Sequence, residues 1–115
     1  MSIKRGSHSV YDTSYHLVWC PKYRKKILTE SVGAKAKGAF RKVARDNDWE
    51  IIELEISEEH VHIFISFQPR YSISQVVGVL KSKSAVKIFR ECDWVRKKYW
   101  GHHFWVEGYF VRTVG

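Results

Sequence analysis

Hydrophobic and polar residues change period along the chain, and the changes mark out its elements. Tyr15, Leu17 and Trp19 alternate with Ser14, His16 and Val18. That period of two predicts a strand from Tyr11 to Cys20, stopped by Pro21. From Thr29 to Asp46 the period lengthens: Val32, Ala36, Ala39, Phe40, Val43 and Ala44 share one face of a helix. Lys37, Arg41 and Arg45 form an i, i+4 stripe elsewhere on it, and Asn47-Asp48 ends it. Gly33 and Gly38 weaken this helix by about 1 kcal/mol each relative to alanine; Gly38 is expected to permit close packing on a sheet. Trp49 to Ile56 reads as a second strand, with Ile52, Leu54 and Ile56 on one face. Ser57-Glu58-Glu59 turns it into an antiparallel partner, which ends at Gln68-Pro69-Arg70-Tyr71. Ser72 with Gln75 matches a capping box, followed by a helical face of Ile73, Val76, Val77, Leu80, Ser84 and Ile88. Trp94 to His103 reads as irregular and basic. Phe104 to Val114 is the last strand, where Gly108 suggests a bulge or the close approach of another backbone.

Strand, helix, strand, strand, helix, strand is the ferredoxin-like split βαβ order. The fold class is therefore α+β, an RRM-like four-stranded antiparallel sheet with both helices on one face. A length of 115 residues fits one domain with a single core. Residues 1–10 read as a loose polar arm.

The third strand carries the most informative chemistry. Val61, Ile63, Ile65 and Phe67 form its core face, so His60 and His62 point the other way with Phe64 and Ser66. Two imidazoles on one open face can hold a metal ion. A half-buried, hydrogen-bonded histidine is the plainer alternative for each.

A formal net charge of +8 points to a polyanionic partner. Lys22-Tyr23-Arg24-Lys25-Lys26 sets four cations around one ring, suited to phosphates and a stacked base, or to a solvated loop. Lys81, Lys83, Lys87 and Arg90 decorate the second helix. Ser82 and Ser84 among them either donate to phosphate or pack the helix against the sheet. Cys20 and Cys92 lie far apart, which fits reduced thiols in a cytoplasmic protein. The N-terminus has no apolar signal core, and no apolar run approaches the ~20 residues of a membrane span.

Four ordered stretches carry a family resemblance: Tyr15-His16-Leu17-Val18-Trp19-Cys20-Pro21-Lys22-Tyr23-Arg24, Glu59-His60-Val61-His62, Tyr71-Ser72 through Leu80-Lys81-Ser82-Lys83-Ser84, and Phe104 through Thr113-Val114-Gly115. Together they resemble the HUH-type single-tyrosine (TnpA-like) transposases of the smallest bacterial and archaeal insertion sequences. The resemblance implies a homodimeric enzyme that recognises DNA hairpins at the element's ends and cleaves and rejoins single-stranded DNA there. It implies His60 and His62 as ligands of Mg²⁺ or Mn²⁺, and a 5′-phosphotyrosine intermediate formed by a nucleophilic tyrosine. Lys22, Tyr23, Arg24, Lys25, Lys81, Lys83, Ser84 and Arg112 are the DNA-contact candidates.

Two departures follow from the same comparison. The family's usual aspartate before the first histidine is Glu59 here, a carboxylate still able to orient a ligand. The family's tyrosine lies on a helix after the Thr-Val-Gly stretch, together with a polar residue that completes the metal site. The expectation is therefore a catalytic core over residues 1–115 whose nucleophile-bearing helix lies beyond Gly115; Tyr99 and Tyr109 do not match its motif. Two other readings stand beside this one. One is a non-catalytic ferredoxin-like binder of single-stranded nucleic acid; the other is a metal-dependent hydrolase that uses water.

Overall fold

The computed structural model describes residues 4–5, 10–11, 13–99 and 103–114. Four strands, β3 (Ser14–Trp19), β4 (Glu50–Ser57), β5 (His60–Ser66) and β6 (Phe110–Val114), pair in the order β4-β5-β3-β6, antiparallel throughout. The helices α1 (Glu30–Asn47) and α2 (Ile73–Glu91) connect them in the ferredoxin-like βαββαβ order. A short ribbon of β1 (Lys4–Arg5) and β2 (Val10–Tyr11) precedes the sheet, so part of the expected loose arm is paired. The rest of that arm lies outside the described residues.

Alternation decides which sheet face the helices cover. Leu17 and Trp19 of β3 and Val61, Ile63 and Ile65 of β5 are buried in one cluster with Phe40 of α1 and Val76 and Leu80 of α2. Each such side chain contributes about 1.5–3 kcal/mol on burial. The predicted helix faces are the buried ones. Ser72 and Gln75 form both bonds of the capping box. Asp48 ends α1 in the left-handed conformation (φ 60°), its N–H reaching back to the carbonyls of Ala44 and Arg45.

Several boundaries differ from the sequence reading. The first strand of the sheet begins at Ser14 rather than Tyr11. In β4 the register shifts between Ile51 and Glu53, a bulge that leaves Ile51, Leu54 and Ile56 against the core and Ile52 exposed. A Cβ on Gly38 would lie 3.1 Å from the ammonium of Lys87, so Gly38 serves helix-to-helix rather than helix-to-sheet approach. Asp93–Lys98, within the stretch read as irregular, is a short helix, α3. The last strand starts only at Phe110, because Phe104 and Trp105 are core residues and Gly108 turns the chain at φ +87°. A Cβ there would meet open space, so backbone conformation rather than close approach favours glycine.

Candidate functional site

Cross-strand partners share a face, so the register assembles the uncovered side of the sheet. One row runs Glu55, His62, Val18, Phe110, and the next runs Glu53, Phe64, His16, Arg112. His60 lies opposite Ser57 at the end of the β4–β5 hairpin. The two predicted histidines do share this face, away from the helices.

Their partners differ. The exposed His60 places Nδ1 2.8 Å from the Ser57 hydroxyl. The half-buried His62 places Nε2 3.1 Å from Nδ1 of His16. The His16 ring lies flat on Phe64, centroids 4.2 Å apart. His16, Glu53 and Glu55 were not among the sequence candidates. The alternation of β3 places His16 opposite to Leu17 and Trp19, but only the pairing of β3 with β5 brings it beside His62.

Imidazole and carboxylate are donors that divalent ions accept. Among the described residues no group of three or more His, Cys, Asp or Glu side chains is arranged to hold an ion. His60 and His62 supply two imidazoles on one face, with no third donor grouped with them among the described residues. Glu59 is exposed in the turn just before them, and shares with His60 a shallow cleft also lined by Cys20, Glu107 and Tyr109.

The basic segment stands on a fixed footing. Lys22–Arg24 forms a 3₁₀ turn with Tyr23 at φ 65°, an uncommon conformation for a bulky residue. Lys22 and Lys25 lie over the exposed Tyr23 ring at 5.8 and 5.7 Å, and Lys25 also lies over Tyr99 at 5.5 Å. The Lys22 N–H donates to Phe104, and the Tyr99 hydroxyl donates to the Lys22 carbonyl. Burial pushes the Tyr99 phenol up to about 12. The Arg24 side chain lies outside the described residues.

The second basic segment divides. The Lys81 ammonium donates to the carbonyls of Val106 (2.8 Å) and Gly108 (2.6 Å), and burial lowers its pKa. Ser84 corrects the phosphate-contact expectation. Its side chain is fully buried, donates to the Leu80 carbonyl and accepts from the Trp105 indole at 2.9 Å, so it packs the helix. Lys83 is exposed but faces the groove between α1 and α2 with Lys87 and Arg90, in the helix layer rather than on the histidine face. Arg112 is exposed opposite His16.

The model of the family described as "Transposase IS200 like" matches residues 9–115. The chain belongs to the IS200-like transposase family. Relatives agree. It is 35% identical over 114 residues to the ISDra2 transposase TnpA of Deinococcus radiodurans, covering 99% of this chain and 81% of that one. It is 30% identical over 112 residues to the transposase for insertion sequence element IS200 of Salmonella typhimurium, covering 97% and 74%. A crystal structure of a transposase from Deinococcus radiodurans superposes at a TM-score of 0.86 with 33% identity, over 97% of this chain and 86% of that one. A REP-associated tyrosine transposase, solved bound to a REP hairpin, shares the fold at a TM-score of 0.65 and 19% identity, over 100% and 63%. Among the described residues of this IS200-like transposase no helix is long and apolar enough to cross a membrane.

Proposed function

We propose that this IS200-like transposase cleaves and rejoins single-stranded DNA at the ends of an insertion sequence, with His60 and His62 holding a divalent ion, Mg²⁺ or Mn²⁺. The observation that carries the reading is the placement of both histidines on the uncovered sheet face, in a chain of this family. A bound ion would act as a Lewis acid on the scissile phosphate. The protein's own groups do the rest. The Ser57 contact occupies His60 Nδ1 and leaves Nε2 as the donor nitrogen. Glu59, next in the turn, helps orient His60. Lys22, Tyr23, Arg24 and Lys25 hold the phosphate backbone and one base at the rim, and Arg112 neutralises phosphate along the face itself. Lys83 lies on the helix layer and serves a distal stretch of DNA; Lys81 acts indirectly, through the loop it fastens. A tyrosine hydroxyl that gives up its proton and attacks phosphorus would form a 5′-phosphotyrosine link as the bond to the 3′ oxygen breaks and leaves a 3′-OH, which conserves the bond energy for rejoining. We assign that attack to no described tyrosine: the Tyr99 hydroxyl is tied to Lys22, and that of Tyr109 to Ser74.

The DNA form is a hairpin with a single-stranded flank, in keeping with the hairpin held by the REP-associated neighbour. The protein acts as a homodimer joined through β6. Among the described residues that strand pairs with β3 alone, and it exposes Phe110 (64%) and Val111 (37%), whereas the other edge, β4, carries Glu53 and Glu55 and a bulge.

The test is Mn²⁺-dependent cleavage of a labelled hairpin with its flank by the protein carrying its nucleophilic tyrosine, wild type against His60→Ala/His62→Ala. Loss of activity with an unchanged circular-dichroism spectrum is expected. Full activity in the double variant would remove the metal assignment.

A further inference from the structure

The contact between His62 and His16 limits which nitrogen of His62 can hold a ligand. His16 Nδ1 and His62 Nε2 are 3.1 Å apart. The ring planes differ by 5° and the centroids are 5.1 Å apart. The planes are near parallel and the two nitrogens lie closer together than the centroids, so the rings approach through their nitrogen-bearing edges at hydrogen-bonding distance. The face of His16 is occupied as well: it lies on Phe64 with planes 6° apart. The His16 ring is therefore held in one orientation.

In neutral rings such a bond has one donor and one acceptor. If His16 donated, the Nε2 lone pair of His62 would be used and its Nδ1 would carry the proton, leaving His62 no lone pair for an ion. If His62 donates from Nε2, its Nδ1 keeps a lone pair. We propose that His16 is a positioning residue that accepts the His62 Nε2–H and thereby presents His62 Nδ1 as the ion-binding nitrogen. The proposal rests on the metal reading of His62 given above. Ligating histidines generally donate their remaining N–H to an outer partner that fixes the tautomer; here the partner is a second imidazole on the adjacent strand. His60 is set the opposite way, because Ser57 engages its Nδ1. The two rings then offer Nε2 from one and Nδ1 from the other.

Long-range ¹H–¹⁵N spectra of the labelled, metal-free chain, at a pH where the imidazoles are neutral, read the tautomers directly. The expected result is an Nε2–H tautomer for both His62 and His16. His16→Phe keeps a ring on Phe64 but removes the acceptor. His62 should then become a mixture of tautomers, and Mn²⁺ affinity by calorimetry should fall about tenfold or more. His16→Asn, whose carbonyl oxygen falls near the lost Nδ1, should restore the tautomer. An Nδ1–H tautomer of His62 in the wild type would overturn the proposal, and that spectrum decides even if a variant fails to fold. So would an unaltered His62 tautomer in His16→Phe. Failure of the wild type to bind Mn²⁺ would instead strike the metal reading, because the tautomer is read without metal.

Discussion

Single residues divide into those that face chemistry and those that only hold the fold, and burial separates them. Ser84 belongs to the second kind. Ser84→Ala leaves the buried Trp105 indole N–H without its 2.9 Å acceptor, at a cost of about 1–3 kcal/mol. A urea titration should show that loss with an unchanged m-value. Tyr99 gives a pH signature. Burial raises its folded pKa from the ordinary 10.0 to about 12, so its contribution to stability is complete below pH 10 and is lost as pH rises through 12. The melting temperature should therefore fall over that window, and Tyr99→Phe should flatten the fall. At this scale the sequence was informative where alternation decides a face, as for His60, His62 and the core side of β5. It could not separate Ser84 from its exposed neighbours, because a serine between lysines reads alike whether it meets phosphate or indole. His16 escaped for another reason: its partner lies on a different strand, and period two says nothing of pairing.

Elements were legible where one period ran undisturbed. Both long helices and the β4–β5 hairpin lie where the pattern puts them. The departures have local causes: an extra residue in β4 inverts the alternation before Leu54, and Gly108 at positive φ separates the core residues Phe104 and Trp105 from β6. That segment is held from α2 by Lys81 at Val106 and Gly108, and by Ser74 at Tyr109. Lys81→Met keeps the apolar stem but strips two carbonyls of their donor. We expect a loss of about 1–3 kcal/mol and faster hydrogen exchange at the amide of Val106. Unaltered exchange would show that the loop holds its position without the lysine.

Across the whole molecule the sheet separates two surfaces: the helices cover one face, and the other is left to the histidines, Phe110 and Arg112. The cations lie in two places, with Lys22–Lys26 on the loop after β3 and Lys83 and Lys87 in the helix layer. Hairpin DNA with a single-stranded flank should bind better than blunt duplex at fixed salt. Binding should weaken steeply with salt, each lost phosphate contact reducing the log–log slope by about 0.7–0.9. Lys22→Ala/Lys25→Ala should lower that slope; equal slopes would place the contacts elsewhere. Light scattering at micromolar concentration should give the mass of a dimer, and a monomer would contradict the β6 interface.

Titrating Mn²⁺ into ¹⁵N-labelled protein and recording where paramagnetic broadening appears locates the ion on the histidine face or elsewhere. Amide signals around His60 and His62, with those of Val18 and Ser57, should vanish first while those of α1 and α2 persist, and His60→Ala/His62→Ala should remove the effect. Broadening centred on the helix layer, or unchanged in the double variant, would contradict ion binding on the histidine face.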